Sequence, residues 1–325
     1  VLVQDTRANK LFSSAGFGMC VRVLVDHCWG FASTDTVSRA GAEACLNEAL
    51  SLARASARFV EERVEITTPQ PYVDSVRSVG RLMPEEMPAA EKVRRVIEFE
   101  AAGRSAAEGR IVNSIVSYSD GRQVETLANT LGTRIRTETC RSVLAAQMVV
   151  SDGNQLQRAV EHRAIVGGPE LLLDTSADAL SVRAARKAVD LLSARKCPAG
   201  NFTVIFHPSI TGLLVHEALG HNAEADAVWA GQSLLEGRMG QQLAAEAVTI
   251  VDDSTIPGAY GSFRYDSEGT PGRRRVIIRN GKLVGFLHSL ETAGKFGVQP
   301  NGSARADDYD SRPIVRMSNT FMERG

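Results

Sequence analysis

An alternating pattern between residues 110 and 162 constrains the fold more than any other feature of the chain. Apolar and polar residues alternate there in several runs rich in β-branched side chains, which is typical of strands buried on one face. Two Asp-Gly pairs interrupt these runs, Asp120-Gly121 and Asp152-Gly153, and this dipeptide is a strong hairpin signal. We therefore predict an antiparallel meander of about four strands in this region.

Helical patterns flank the predicted sheet on both sides. Alanine and leucine recur with helical spacing over residues 35–58, and either Asp35 or Thr36 could cap this helix. The other elements predicted in this half are two helices, at residues 87–106 and 177–194, and a strand-turn-strand in GFGMCVRVLVDHCWGFAST, residues 16–34. The first half thus combines long helices with antiparallel strands.

The second half begins after KCPAG, residues 196–200, where Pro and Gly indicate a domain junction. We predict two domains, at residues 1–197 and 198–325. Residues 201–206 predict a buried strand, which a helix with a histidine motif follows. The segments AVTIVDD, RRRVIIRNGKLVGFLHS and PIVRMSN also resemble strands. Because both halves mix helices with antiparallel strands, the predicted class is α+β.

Composition narrows the classes of function. A chain of 325 residues is long for one core, which agrees with two domains. A net charge of -1 provides no basic surface, so we expect no nucleic-acid partner. No apolar run approaches the ~20 residues of a membrane span, so we expect no membrane partner. The 5 cysteines are widely spaced and odd in number, which favours reduced thiols and a cytoplasmic location.

The stretch LLVHEALGHNAEAD, residues 213–226, predicts a metal site. His216 and His221 can each supply a nitrogen ligand to zinc, and Glu217 could take a proton from water that the ion has acidified. In a regular helix, however, the two imidazoles would lie roughly 140° apart. Gly220 allows two solutions, a helix that ends there or a π-type bulge, and both remain open. The alternative is a helix whose His and Glu residues are ordinary surface groups.

Other polar residues are weaker candidates. Glu224 and Asp226 could ligate the metal or orient a ligating imidazole. Asp266 and Glu268, in FRYDSEGTPG, could line the active cleft, although a turn with solvated acids explains them as well. His288 could be a ligand, but a satisfied core histidine is the favoured interpretation. The remaining histidines have no motif around them; they are His27, His162 and His207.

Several blocks of the chain resemble the TldD/PmbA family, in particular its zinc-bearing TldD-type members. The blocks are GFGMCVRVLVDHCWGFAST, HEALGHNAEAD, DDSTIPGAYGSFRYDSEGTP, NGKLVGFLHSLETA and VRMSNT. The resemblance implies a zinc metallopeptidase with an N-terminal α/β domain and a C-terminal β-rich, barrel-like domain that carries the motif helix. It also implies that His216 and His221 are metal ligands and that Glu217 is the catalytic residue.

The resemblance further implies a third ligand, partners and substrates. In TldD-type enzymes a cysteine in a glycine-rich block completes the site, and we expect this residue to lie beyond Gly325. The implied partner is a second copy or a PmbA/TldE-like subunit, and the implied substrates are unfolded peptides, including peptide-antibiotic precursors. A non-catalytic, PmbA-like subunit of the gyrase-modulator type is the alternative.

Overall fold

The computed structural model describes residues 1–59 and 62–324. Its strands are β1 Leu2–Gln4, β2 Arg7–Lys10, β3 Met19–Val25, β4 Cys28–Thr34, β5 Val73–Ser78, β6 Ile111–Ala128, β7 Arg134–Ser151, β8 Leu156–Val166, β9 Ile250–Asp253, β10 Arg274–Arg279, β11 Lys282–Leu283, β12 Ala304–Arg305, β13 Ile314–Val315 and β14 Thr320–Met322. Its α-helices are α1 Arg39–Ser56, α2 Ala89–Ala106, α3 Glu170–Asp174, α4 Arg183–Leu192, α5 Pro208–Val215, α6 Ala225–Trp229 and α7 Leu290–Phe296. Single π turns span Asp178–Val182 and His216–Gly220, and 3-10 turns span Pro84–Glu86 and His221–Ala223.

The long strands β6 and β7 form the centre of the largest sheet. Its order is β2-β1-β6-β7-β5, and β8 also pairs with β7. The β6–β7 and β7–β8 pairs are antiparallel, whereas β5 runs parallel to β7. Residues 110–162 therefore supply three strands of this sheet, fewer than the predicted meander of about four.

The difference arises at Asp120-Gly121, where the predicted hairpin is wrong. This pair lies inside β6, opposite Ser142 and Arg141 of β7. β6 stays continuous through a dipeptide that favours a turn because it pairs with β7 on both sides of it. Each hydrogen bond of this ladder satisfies a buried backbone group. The chain reverses later, at Gly132, whose φ is 103°.

The second Asp-Gly pair does form the predicted hairpin. Gly153 has a φ of 93°, a value that glycine adopts without strain. The Asp152 carboxylate accepts hydrogen bonds from the backbone N–H groups of Asn154 and Gln155, at 2.9 and 3.0 Å. The turn then leads directly into β8.

The predicted helices form, and two of them pack against the large sheet. α2 and α4 cover one face of the large sheet, where Val96, Phe99, Leu144 and Met148 belong to one core. The N-cap of α1 is neither of the two predicted residues. Ser38 occupies it, because its hydroxyl accepts a hydrogen bond from the Gly41 N–H at 3.0 Å.

The segment at residues 16–34 folds as the predicted strand-turn-strand. β3 and β4 pair along their whole length across a turn at Asp26 and His27, both with positive φ. Gly30 of β4 lies so close to the backbone carbonyl of Ala49 in α1 that a side chain would clash. The hairpin and α1 therefore form one small packed unit.

The second half contains smaller sheets and a separate core. β11-β10-β9-β14 form a four-stranded sheet, and β12 pairs with β13. Ile250, Ile278 and Leu287 are fully or almost fully buried in this core. The structure is thus mixed α and β, but the strands of the described ranges close no barrel. The boundary between residues 197 and 198 stays a prediction.

The strand predicted at residues 201–206 is wrong for the described structure. The segment has no regular secondary structure, and every residue in it is exposed. No backbone hydrogen bond joins this segment to another described residue. Within the described ranges, no helix combines the length and the hydropathy needed to cross a membrane.

Candidate metal centre

The helix α5 presents the histidine motif. Pro208 occupies its first position, where a missing N–H costs nothing. The His207 ring caps it, because Nδ1 accepts a hydrogen bond from the Ser209 N–H at 3.3 Å. α5 ends at Val215, and the backbone continues directly into the π turn His216–Gly220.

The π turn brings the two motif imidazoles together. It inserts one extra residue into the turn, so positions five apart return to one side of the helix. The ring centroids of His216 and His221 lie 4.7 Å apart, with an interplanar angle of 85°. One ligand atom from each of His216, Glu217 and His221 lies within 4.8 Å of the others. Of the two solutions left open by the sequence, the bulge is therefore the one observed.

Gly220 has a different role from the one predicted. Its φ of -59° and ψ of -55° are ordinary helical values, so the turn makes no use of glycine's backbone freedom. A side chain at this position would instead overlap the sulfur of Met317. Gly220 therefore lets the motif helix pack closely on Met317 in the segment before β14.

Glu224 orients the second imidazole. Its Oε1 lies 3.2 Å from Nδ1 of His221, and its Oε2 lies 3.5 Å from a guanidinium nitrogen of Arg316. Burial raises the pKa of Glu224, although the charges of His221 and Arg316 oppose this shift. When Nδ1–H donates to Glu224, Nε2 of His221 keeps its lone pair for a metal.

Asp226 serves the fold next to the site. Its Oδ1 accepts a hydrogen bond from the Ala227 N–H at 2.9 Å, and its Oδ2 accepts one from the Val315 N–H at 3.1 Å. These contacts fasten α6 to β13. No hydrogen bond among the described residues joins Asp226 to a motif histidine.

Asp266 and Glu268 are buried rather than solvated, so the interpretation as an exposed acidic turn is wrong. The Asp266 carboxylate accepts hydrogen bonds from the N–H groups of Glu268, Thr270 and Ala304, at 2.8 to 3.0 Å. Burial, followed by the charge of Glu268, raises the pKa of Asp266 to about 7.

Glu268 connects the two halves of the chain. Its Oε1 accepts a hydrogen bond from Arg22 of β3 at 2.6 Å, and its Oε2 accepts one from the Leu290 N–H at 2.7 Å. Among the described residues, neither Glu268 nor Asp266 forms a hydrogen bond or an ion pair with the motif. Their role in a cleft stays a prediction.

The histidines outside the motif do not join it. His288 is buried against Phe286 and Phe296, and its Nδ1 has no hydrogen-bond partner among the described residues. Desolvation lowers its pKa to about 4. His27 lies in the β3–β4 turn, and His162 lies on β8. His216, Glu217 and His221 are the single group of three potential ligands found within residues 1–59 and 62–324.

Sequence reasoning missed two residues that shape the site, Arg316 and Met317. Arg316 approaches Glu224, and Met317 packs on Gly220, although both follow the motif by almost a hundred positions. The one available signal was the block VRMSNT, which contains both residues.

Three family models match successive parts of the chain. The PmbA/TldA metallopeptidase domain 1 matches residues 1–53, its central domain matches residues 83–192, and its C-terminal domain matches residues 199–325. The chain belongs to the PmbA/TldD metallopeptidase family. The predicted membership of the TldD/PmbA family is therefore confirmed.

Relatives of the PmbA/TldD family carry protease names. The chain is similar to a metalloprotease of Methanocaldococcus jannaschii, with 34% identity over 100% of this chain and 71% of the relative. It shares 37% identity with a metalloprotease of Methanothermobacter thermautotrophicus, over 100% of this chain and 69% of the relative. A zinc metalloprotease TldD homolog of Saccharolobus solfataricus is 25% identical over 95% of this chain and 66% of the relative. These names support a protease role at the level of the family.

Solved structures of the same fold carry different names. A Thermotoga maritima protein described as a modulator of DNA gyrase has a TM-score of 0.76 and 27% identity, covering 96% of this chain and 69% of that one. TldE from Thermococcus kodakarensis has a TM-score of 0.69, covering 94% of this chain and 67% of that one. At 19% identity, the likeness to TldE concerns the fold alone.

Proposed function

We propose that this protein is a zinc-dependent peptidase that hydrolyses unfolded peptides. The observation that carries the proposal is the π turn His216–Gly220, which gathers two imidazoles and one carboxylate within 4.8 Å of one another. The family relationship and the metalloprotease names of relatives support the same reaction class.

The residues present fit a zinc ion. Imidazole nitrogens are among the ligands that zinc prefers, and His221 is already held by a carboxylate in the way typical of metal-ligating histidines. His216 and His221 would hold the ion. We propose a cysteine thiolate, from beyond Gly325, as the third ligand, because the resemblance to TldD-type enzymes implies one.

Glu217 is the residue that would move the proton. A zinc ion bound by the two histidines supplies Lewis acidity, which lowers the pKa of water and polarises a carbonyl oxygen. The exposed Glu217 carboxylate lies within 4.8 Å of the histidine nitrogens that would hold the ion, so it would accept the proton of the attacking water. It then donates that proton to the departing amine, so one group acts as base and as acid.

Substrate and partner follow from the family. We propose unfolded peptides, including peptide-antibiotic precursors, processed in a TldD/TldE-like complex that is a homodimer or a heterodimer with a PmbA/TldE-like subunit. The TldD-homolog name of the Saccharolobus solfataricus relative supports a TldD-like role in such a complex. All 5 cysteines are free, which supports a reducing, cytoplasmic location.

Glu217→Gln in the complete protein tests the assignment. The variant should bind zinc as the wild type does, while kcat/KM for an unfolded peptide falls about 10²- to 10⁴-fold, because general acid–base catalysis is lost. Glu246→Gln, at an exposed position before β9, is the matched control and should leave both quantities unchanged. Full activity of Glu217→Gln with zinc bound would refute the proposed role.

A second candidate is a non-catalytic peptide-binding or regulatory subunit. The name of the Thermotoga maritima relative, a modulator of DNA gyrase, favours it. Metal analysis of the purified complete protein separates the two functions. Stoichiometric zinc that His216→Ala and His221→Ala each remove supports the peptidase, whereas zinc-free protein with intact peptide binding supports the regulator.

A further inference from the structure

Residues 202–214 form the most conspicuous exposed apolar surface of the described chain. Phe202, Val204 and Ile205 are 58%, 59% and 95% exposed. The same surface continues along Phe206 and onto α5, where these further side chains are exposed: Ile210, Leu213 and Leu214. Surfaces of this kind mark sites that another part of a protein or a partner covers. We call it the 202–214 surface.

The first part of this surface has the composition of an interior strand. Residues 201–206 are rich in aromatic and β-branched side chains, which favour strands. Phe202, Val204 and Phe206 would point to one face of a strand and Ile205 to the other, so both faces are apolar. No hydrogen bond joins the backbone of residues 201–206 to any other described residue. Strands with two apolar faces are covered on both sides in folded proteins.

We propose that residues 202–206 form a strand within this protein's own fold, paired with residues of the same chain that lie outside positions 1–325. Both faces of this segment are apolar, so a partner that covers one face would leave the other exposed. The Methanocaldococcus and Methanothermobacter relatives are matched over 71% and 69% of their lengths. About three tenths of each relative thus lies outside the match, enough chain for several strands.

The consequence concerns the metal centre. Residues 202–206 lead through the His207 cap into α5, and α5 leads into His216 without a break. A strand fixed by neighbours on both edges would hold the start of the motif helix in place. The inference does not depend on peptidase activity, because its tests measure backbone protection and stability.

Hydrogen exchange on the complete protein is the first test. Amides of residues 202–206 should exchange at least about 10³-fold more slowly than in an unstructured peptide, because ladder hydrogen bonds protect them. Protection should not change when the protein is diluted tenfold or more. Fast exchange would overturn the proposal, and so would protection that disappears as oligomers dissociate.

Paired alanine variants of the complete protein are the second test. Ile205→Ala should lower Tm by about 5 °C, since a side chain buried in the complete fold loses its contacts. Leu156→Ala, 64% exposed at the start of β8, is the control and should change Tm by about 1 °C or less. Equal effects of the two variants would show that Ile205 stays exposed and would overturn the proposal.

Discussion

At the scale of single residues, the turn that brings His216 and His221 together packs closely on Met317. The π turn places the imidazoles 4.7 Å apart, and the contact between Gly220 and Met317 lets the helix approach the segment before β14. The sequence showed that a glycine precedes His221. It did not show which neighbour requires that glycine, because Met317 comes from a distant part of the chain.

Substituting this glycine tests the packing. Gly220→Ala should lower the free energy of unfolding by about 1 kcal/mol, because the overlap of the new methyl group with Met317 outweighs the gain in helix propensity. Gly212→Ala is the matched control, since its added methyl meets nothing within 4 Å inside α5. It should stabilise by about 0.5–1 kcal/mol through helix propensity. Denaturant unfolding measures both, and stabilisation by Gly220→Ala would contradict the packing account.

At the scale of elements, Arg22 and Trp29 join the β3–β4 hairpin to the second half of the chain, Trp29 through a hydrogen bond from its Nε1–H to Glu291 at 3.0 Å. Arg22 of β3 stacks over the Trp29 ring at 3.6 Å. Its guanidinium also reaches Glu268 at 2.6 Å and Glu291 at 3.3 Å, on elements almost 250 residues away or more. Local patterns predicted the hairpin correctly, but they carried no information about this docking contact.

Removing the arginine tests the docking. Arg22→Met should destabilise the protein by about 3 kcal/mol, because the carboxylate of Glu268 stays buried without its cation. Arg39→Met breaks the exposed pair with Glu43, whose side chains are 94% and 63% exposed, and should change stability by less than about 0.5 kcal/mol. Urea titration of both variants makes the comparison, and similar losses would argue against a buried docking pair.

At the scale of the whole molecule, two buried groups make stability depend on pH in opposite directions. Burial lowers the pKa of His288 from 6.5 to about 4, so its contribution is full above pH 6.5 and is lost on acidification through the folded pKa. Burial raises the pKa of Asp266 from 3.8 to about 7, so its contribution is full below pH 3.8 and is lost as pH rises through 7.

The His288 contribution can be isolated by comparing variants. Between pH 6.5 and 4 the wild type should lose about 3 kcal/mol relative to His288→Leu, because only the unfolded wild-type histidine takes up a proton early. Asp266 is present in both proteins and cancels in the difference. Unfolding free energies at a series of pH values provide the check, and parallel curves would contradict a buried neutral His288.

The sequence by itself determined the features that depend on neighbours along the chain. It predicted α2, the β3–β4 hairpin, the turn at Asp152-Gly153 and the family membership. A helical face, a tight turn and a metal motif each depend on residues a few positions apart, so the local sequence is enough to predict them.

Only the tertiary structure decided the features that depend on distant neighbours. Pairing with β7 keeps β6 continuous through Asp120-Gly121. Asp266 is buried rather than solvated, and its carboxylate accepts a hydrogen bond from the distant Ala304 N–H. Met317 packs closely on Gly220, and the π turn, one of two open solutions, brings His216 and His221 together. The pairing of β6 with β7 and the contact of Gly220 with Met317 join segments that lie apart in sequence, so local patterns do not predict them.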